Sequence, residues 1–379
     1  MCIRDSRTIV PVPGPPLLHP RPSAPPKYSA RLIGLTALGL LLALSLAGCS
    51  TLRYYGQAVG GGLDLLRRRE PIPRLLADPS VSPELKERLQ KVRAFREFAV
   101  TDLGLPDNRS YRTYADLGRP YAVWTVTAAP ELSVEPRVWC FPIAGCVTYR
   151  GYFSRERALA YAAGLAEKSY DVEVGGVAAY STLGRLADPV LSTFIGREDL
   201  DLAGLLFHEL AHQVAYAPDD TTFNESFASV VEEEGVRRWL LTQEAEGGGG
   251  ADLKEWREIR RRDEAVIGLL LTFRERLAAL YAQAITDAEK RRRKAETFAE
   301  LRADYHRLVA PWGGTRWDAW IAQDLNNAHL AAHGAYHELT GAFAALLAEQ
   351  GGDLPAFYAD IKRLAAMRYE ERRAVLVER

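Results

Sequence analysis

The alternation of apolar and polar positions divides the chain into three parts. From residue 51 to about 103, apolar residues recur every three or four positions, the period of a helix that buries one face. From about 104 to 198, prolines, aromatic residues and short β-prone runs replace that period, and the runs Tyr121–Ala128 and Arg137–Phe141 predict strands. From 199 onward the helical period returns. The pattern predicts an α+β fold, mostly helical, with a small mixed β region in the middle.

The middle and last parts contain further elements. A helix is predicted from Arg155 to about Ser169, followed by a strand from Asp171. The glycine run Gly247–Gly250 predicts a loop tip between two helices, and the long, heavily charged 250s to 300s predict a helical hairpin. Another helix is predicted from Asn326. No repeat is visible, which argues against a solenoid.

The first 48 residues have the pattern of a cleaved export signal. Lys27 and Arg31 precede an apolar run, Leu32–Leu46, which continues through Ala-Gly to Cys49. The run is short for a membrane span, which needs about 20 residues, and small residues before a cysteine are typical of a lipoprotein cleavage site. We therefore predict a signal peptide over residues 1–48 and lipidation of Cys49. An anchor helix that is never cut is the alternative.

The expected lipid anchor also predicts a location. Ser50 follows the lipidated cysteine, which resembles the sorting rule for outer-membrane lipoproteins of Gram-negative bacteria. The predicted location is the bacterial cell envelope, with the protein held on the membrane by its N-terminal lipid and facing the periplasm. The segment before Lys27 is rich in proline and lacks periodicity, which leaves open whether Met1 is the true translation start.

Cysteine usage agrees with export. Of the four cysteines, Cys49 is expected to carry lipid, and Cys140 and Cys146 remain as a pair in the mature chain. In an oxidising compartment this pair predicts a disulfide, which would contribute roughly 2 kcal/mol by restricting the unfolded chain. Two free thiols are the alternative.

Composition and charge narrow the class of protein. With 379 residues, 47% of them hydrophobic and 26% charged, the chain can bury a large core and has no signature of disorder or of a fibre. The formal net charge of −1 predicts no nucleic-acid partner. The basic run Lys290–Lys294 lies in a charged helical region and is interpreted as a solvated helix face.

The segment Leu205–Tyr216, LLFHELAHQVAY, places two histidines in an apolar helix. Positions four apart lie on one helix face, so His208 and His212 can direct ring nitrogens at one point. This is the H-E-x-x-H arrangement, in which two histidines hold zinc and the glutamate, here Glu209, takes a proton from the attacking water. A catalytic zinc site keeps three protein ligands and one open position, so a third ligand is needed.

The third ligand is expected on the next helix, Phe223–Gly235. Glu225 is the candidate, and Glu232, seven residues later on the same helical face, is the reserve. Loop residues 218–222 predict a tight reversal, and Asn224 is suited to capping the new helix. The site would hold one Zn²⁺ per chain.

An alternative interpretation of this segment is a core helix with two hydrogen-bonded histidines. The apolar helix, the reversal and the acidic helix that follows favour the metal site over it. A purely structural zinc site is disfavoured, because closed sites take four side-chain ligands, mostly with cysteine.

Several motifs carry a family resemblance. FHELAHQ followed by NESFASVVEEEG resembles the gluzincin metallopeptidases, and NESFA is similar to the asparagine-glutamate-glycine-phenylalanine-alanine stretch of zinc aminopeptidases. The glutamate of that stretch is the family's third zinc ligand and corresponds to Glu225. The chain from Cys49 to Arg379 also resembles a family of bacterial lipoproteins described as predicted aminopeptidases, through WCFPIAGCVTYRGYF, AYSTLG and DDTTFNESFA. The resemblance implies one zincin-like metallopeptidase domain over residues 49–379, with its catalytic part in 199–379.

Departures from the gluzincin pattern concern specificity more than chemistry. The glycine-x-methionine-glutamate-asparagine motif, which anchors the substrate's free amine in large zinc aminopeptidases, does not occur, and the separation of His212 and Glu225 is shorter than theirs. Ser229 stands where thermolysin-like enzymes carry an aspartate four residues after the ligand glutamate.

Hydrolysis also needs a donor for the developing oxyanion, opposite the metal. The resemblance to gluzincins implies a tyrosine or histidine from the later helical region. The candidates are Tyr336, His333 and His337, of which Tyr336 is preferred; an ordinary packing tyrosine is the alternative. Asn326 and Asn327 are interpreted either as groups that bond the substrate backbone or as caps of their own helix.

The segment Val177–Leu191 precedes the metal helix. One interpretation is an exposed strand edge that holds an extended peptide, where Gly184 permits close approach. The other is a loop over the active site in which Gly184 serves a turn. The Cys140–Cys146 block is expected to wall the same cleft.

The sequence thus predicts a lipid-anchored zinc peptidase acting on peptides, and the resemblance implies an aminopeptidase. One alternative is a catalytically idle or binding lipoprotein that retains the zincin fold; the presence of Glu209 disfavours it, because a non-enzyme often loses that glutamate first. Another is a zinc amidase acting on cell-wall material. The oligomeric state is not predicted.

Overall fold

The structure, a computed structural model, describes residues 52–141, 145–248 and 250–377; the side chains of residues 251, 335, 336 and 377 lie outside the description. The chain divides into two units, Met1–Tyr55 and Gly56–Arg379. The predicted signal peptide and the lipidation site Cys49 lie outside the described residues.

Helices dominate the described part of the chain. They are α1 (52–67), α2 (Ile72–Ala77), α3 (Pro83–Thr101), α4 (Arg155–Ala166), α5 (Asp199–Ala211), α6 (Thr221–Ala245), α7 (Gly250–Tyr281), α8 (Asp287–Val309), α9 (Asp318–Ile321), α10 (Asn327–His337), α11 (Thr340–Glu349), α12 (Leu354–Ala365) and α13 (Tyr369–Val377), with a short 3₁₀ helix at Ala310–Trp312. The predicted hairpin of charged helices is confirmed as α7 and α8.

The strands form small sheets. They are β1 (Arg69–Pro71), β2 (Thr113–Ala115), β3 (Val123–Pro130), β4 (Trp139–Phe141), β5 (Gly145–Val147), β6 (Arg150–Tyr152), β7 (Tyr170–Val177) and β8 (Val190–Leu191). The orders are β1-β2-β8, β6-β3-β7 and β4-β5. Strand β3 pairs antiparallel with both neighbours, so that Trp124 lies opposite Tyr152 and Thr127 opposite Glu173. The structure confirms the predicted α+β fold.

Two predicted boundaries were wrong. Helix α6 is capped by Asp220, whose side chain accepts a hydrogen bond from the Phe223 N–H at 3.0 Å. Asn224, the predicted cap, instead lies inside the helix and bonds both backbone groups of Ala217, at 2.7 and 2.8 Å. The stretch from Asn326 is two helices, because α10 ends before Leu339, whose N–H donates to the Ser226 hydroxyl.

Two clusters of buried side chains form the core. The larger one joins α3, α5, α6, α11 and α12, with Phe207 and Phe227 fully buried. The second lies among α7, α8, α9 and α10 and includes Phe273 and Tyr305. Helices α5 and α6 pack against each other, and α10 packs against α6, β3 and β7. Within the described residues, no helix combines the length and the apolar character that crossing a membrane requires.

Candidate metal centre

Helix α5 presents both predicted histidines from a buried position. Leu206, Phe207 and Leu210 are fully buried and anchor the helix in the larger core. His208 lies in the last turn of α5, and His212 is the residue at which the helix ends. Their exposed fractions are only 8% and 7%, so both rings are held within the protein.

Helix α6 begins at a fixed point. Its cap, Asp220, is buried and forms an ion pair with the buried Arg372 at 2.9 Å. A buried and fully paired cap holds the first turn of the helix in place, and Glu225 follows directly after that turn. The loop between the metal helices is therefore anchored by α13, far along the chain.

The structure brings together the three predicted ligands. Nε2 of His208 lies 3.3 Å from Oε2 of Glu225, and Nε2 of His212 lies 3.7 Å from the same oxygen. One donor atom from each residue falls within 4.8 Å of the others, and among the described residues this is the cluster able to hold a metal ion. Two imidazole nitrogens and one carboxylate oxygen are the donor set of a three-ligand metal site.

Glu232, the reserve candidate, contacts the other side of the same ring. Its Oε2 lies 3.1 Å from Nδ1 of His208. Glu232 is therefore an outer partner of His208 and does not belong to the cluster of donor atoms. His212 differs, since its Nδ1 is buried and has no hydrogen-bond partner within the described part of the chain.

The charges at the centre follow from burial and proximity. Burial alone would raise the pKa of Glu225, but His212 and His208 outweigh it and hold that pKa at about 2. Burial would lower the pKa of His208, yet Glu225 and Glu232 raise it well above its ordinary value. The centre is a carboxylate-rich pocket that attracts positive charge, which agrees with a cation site.

Glu209 lies beside the cluster without belonging to it. Burial raises the pKa of its carboxyl, although the neighbouring His212 and His208 oppose that rise. A partly buried carboxylate with a raised pKa, next to a metal site, is suited to accept and return a proton.

The segment before α5 is mostly a loop, so the strand-edge interpretation of 177–191 is wrong for its central residues. Its ends belong to β7 and β8. Between them the buried Asp188 accepts hydrogen bonds from Thr182 and from the Gly184 N–H. These bonds satisfy backbone groups within the segment, and a turn results. Gly184 has a φ of +73°, and a Cβ there would approach the Gln213 side-chain oxygen within 2.5 Å.

Sequence reasoning missed two tyrosines near the centre. Burial raises the pKa of Tyr111 well above its ordinary value, and the negative charges of Glu209 and Asp188 add to the effect. Burial raises the pKa of Tyr216, and the negative charge of Glu225 adds to the effect. A signal for Tyr216 was available, because it follows His212 by four residues. Tyr111 is distant in sequence, and only folding brings it near.

The structure bears differently on each of the residues at α10 for which a role was predicted. The side chain of Tyr336 lies outside the description. Asn326 caps α10, accepting from the Ala328 N–H at 2.9 Å, and also donates to the Val172 carbonyl, so the capping interpretation holds. Asn327 accepts from the Tyr281 hydroxyl at 2.8 Å.

His333 and His337 are half-buried histidines of low pKa. The ring of His333 lies 4.6 Å from that of Trp320, centroid to centroid. Burial lowers the pKa of His333 to about 3 and that of His337 to about 4, so both rings are neutral at pH 7. A neutral ring can still donate one hydrogen bond, but neither residue belongs to the cluster of donor atoms found among the described residues.

A disulfide hairpin lies against the loop between the metal helices. Strands β4 and β5 pair Cys140 with Cys146, and the two residues form a disulfide. The Cys146 N–H donates to the Asp219 carboxylate at 2.5 Å. The hairpin therefore contacts the segment that joins His212 to Glu225.

Comparison with known proteins gives one finding. The model of a family described as "Putative aminopeptidase" matches residues 53–376. No curated protein and no solved structure shows a significant match.

Proposed function

The chain belongs to this "Putative aminopeptidase" family, and on that premise we propose that it is a zinc-dependent aminopeptidase with a zincin-like active site. The observation that carries the proposal is the convergence of His208 and His212 on one carboxylate oxygen of Glu225. Two imidazoles and one carboxylate leave a position open, which is the arrangement of catalytic rather than structural zinc.

The donor set supports zinc as the metal. His208, His212 and Glu225 would hold the ion, since nitrogen and carboxylate oxygen donors suit it. When bound, zinc supplies Lewis-acid polarisation of the substrate carbonyl and makes water far more acidic than in bulk.

The protein's own contribution to hydrolysis is proton transfer. We assign Glu209 as the base that accepts a proton from the attacking water as the new C–O bond forms. The same carboxyl then gives its proton to the amine nitrogen as the C–N bond breaks, so that Glu209 returns to its starting state. Burial favours this cycle, because it raises the pKa of Glu209 toward the working range of a general acid and base.

The location proposed for the enzyme is the cell envelope. A lipid on Cys49 would hold the chain on the membrane, facing the periplasm. Ser50 after the lipidated cysteine favours sorting to the outer membrane. A disulfide between Cys140 and Cys146 supports this location, because disulfides persist in oxidising compartments.

The test compares the wild type with Glu209→Gln on peptides with a free or an acetylated N-terminus. Gln keeps the size of the side chain but lacks the basic carboxylate, so hydrolysis should fall by about 10²- to 10⁴-fold. Zinc content, measured by metal analysis, should stay at the wild-type level because Glu209 is not among the cluster donors. Glu233, on α6, is not among the donor residues of the cluster, so Glu233→Gln is the matched control and should keep full activity.

Comparing peptides with a free and an acetylated N-terminus distinguishes an aminopeptidase from an endopeptidase. An aminopeptidase must recognise a free amine, so only the unblocked peptides should be cleaved. A wild type that holds zinc and cleaves neither set contradicts the peptidase proposal. Cleavage of the acetylated peptides alone would leave the mechanism in place and identify an endopeptidase.

A further inference from the structure

The ring of His208 is held between two carboxylates of the same helix. Glu225 contacts Nε2 at 3.3 Å and Glu232 contacts Nδ1 at 3.1 Å. The two glutamates are seven residues apart, which is close to two helical turns, so both side chains leave α6 on the face that packs against α5. One ring therefore meets a partner on each nitrogen.

The two nitrogens of a neutral imidazole have opposite roles. One carries the proton and donates, while the other offers its lone pair, and the partner of the donor nitrogen decides which is which. A carboxylate on Nδ1 can only accept, so it holds the proton there and leaves Nε2 free to bind a metal. Glu232 occupies that position beside His208.

A glycine leaves the space that Glu232 occupies. Gly204 lies one turn before His208 on α5 and is buried. A Cβ at this position would lie 3.0 Å from Oε1 and 3.1 Å from Cγ of Glu232. These distances are shorter than ordinary van der Waals contact, so the Glu232 side chain would have to shift by a few tenths of an ångström to admit an alanine.

The surroundings of Glu232 predict that the side chain can be removed without unfolding the protein. It lines a cavity of about 830 Å³, and 37% of its side-chain surface is exposed. Water can therefore enter the space left by a truncated side chain, and the cost of an empty void is avoided. The neighbouring Glu233 lines the same cavity and is not one of the donor residues of the cluster.

We propose that Glu232 is the positioning residue for His208 and that Gly204 provides the space for it. The inference rests on the proposed function, because positioning matters only if His208 binds metal. Thermolysin-like enzymes carry an aspartate four residues after the ligand glutamate, where this chain has Ser229. Glu232 would supply an outer carboxylate in this chain. Its effect is on the strength of metal binding and on the proton at Nδ1, and Glu232 does not touch the substrate.

The first test measures zinc affinity by chelator competition in the full chain. Loss of an outer partner typically weakens metal binding by about 10- to 100-fold, so Glu232→Ala should show a loss of that size and Glu232→Gln a smaller one. Glu233→Gln, the matched control, should bind zinc like the wild type. Gly204→Ala should weaken binding too, although it alters no donor atom.

The double variant shows whether the two residues act together. If Gly204 matters only through Glu232, adding Gly204→Ala to Glu232→Ala should cause no further loss of affinity. Gly268→Ala, at an open position within α7, controls for the general effect of alanine in a helix and should leave zinc affinity unchanged. Independent, additive losses would show that Gly204 acts on the helix packing and would overturn its assigned role.

A spectroscopic signature separates positioning from a general structural effect. In zinc-loaded protein labelled with ¹⁵N-histidine, the wild type should show a protected Nδ1–H signal for His208 that Glu232→Ala loses. Zinc affinity of Glu232→Ala within twofold of the wild type would refute the inference while leaving the proposed function intact. A wild type that binds no zinc would refute the proposed function itself.

Discussion

Two helices carry histidines four residues apart, and the surroundings of the two pairs differ in charge. On α5, His208 is 8% exposed and meets two carboxylates from α6. On α10, His329 is 6% exposed, bonds the Asn326 side chain at 3.0 Å and lies beside Trp320. The ring of His333, four residues later, lies beside the rings of both Trp317 and Trp320.

The difference appears in the charge that each site favours. Burial lowers the pKa of His329 to about 4 and that of His333 to about 3, and the charge of Asp324 offsets the effect of burial on His329 only in part. His208 is buried as well, but Glu225 and Glu232 raise its pKa. Similar burial therefore gives neutral rings on α10 and a strongly cation-attracting site on α5.

The comparison shows what spacing can and cannot determine. Both helices satisfy the four-residue rule that places two rings on one face. Among the described residues, however, only α5 meets a second helix that supplies a carboxylate within reach of both Nε2 atoms. The decisive feature of the metal centre is Glu225 on α6.

The largest effect is expected when the Glu225 carboxylate is removed. Glu225→Ala should abolish stoichiometric zinc binding and peptide hydrolysis, a greater loss than the roughly 10- to 100-fold typical of an outer partner. Metal analysis after dialysis measures it. His333→Leu is the control on α10 and should retain one zinc per chain. If Glu225→Ala keeps its zinc while Glu232→Ala loses it, the third ligand is misassigned.

A second prediction uses the tryptophan-lined site on α10. The pKa of His333 is about 3 when folded and 6.5 as a free reference group, so its neutral form contributes stability above pH 6.5 that is lost as the pH falls toward 3. Between pH 7 and pH 5 this group alone should lower the free energy of unfolding by about 2 kcal/mol.

Urea unfolding of metal-free protein at the two pH values measures the effect. His333→Leu has no group to protonate at this position, so its stability should fall by correspondingly less than that of the wild type. Working without metal keeps the release of zinc from α5 out of the comparison. An equal fall in both proteins would show that His333 does not resist protonation in the folded state.

The smallest effect is expected from removing the disulfide next to the loop that joins α5 to α6. The disulfide hairpin reaches the α5–α6 loop through the Cys146 N–H and Asp219. Replacing Cys140 and Cys146 together with serine should lower the free energy of unfolding by up to about 2 kcal/mol, as expected for so short a loop. The pH dependence that arises from His333 should be unchanged.

Thiol labelling checks the premise of that experiment. Exported protein that is denatured without reduction should present no reactive thiol at Cys140 or Cys146. Two labelled thiols would contradict the disulfide and weaken the proposal of a periplasmic location.

The start of α6 shows where local reasoning failed. Asn224 has the chemistry of a helix cap, and the sequence alone favoured it. In the fold, Asp220 is the cap because Arg372, from the last helix, pairs with its other carboxylate oxygen. Asn224 is then free to bond the loop at Ala217. A partner 152 residues away decided the boundary.

The strand-edge interpretation of the segment before α5 was wrong for a similar reason. The sequence of 177–191 was compatible both with a strand edge and with a loop. Asp188 instead bonds Thr182 and Gly184 within the segment and turns the chain. The competition between a local turn and sheet pairing depends on which neighbouring strand is present, and the sequence does not specify that neighbour.

The sequence by itself determined the α+β class, most of the helices and the face shared by His208, Glu209 and His212. These features depend on periodicity and on the 3.6-residue helical turn, which are local properties. It also identified Glu225 as the third ligand candidate. Only the tertiary structure decided that Glu232 contacts Nδ1 of His208 and that tryptophans surround His333. Those outcomes depend on contacts between elements far apart in the chain, whose geometry follows from packing the whole core.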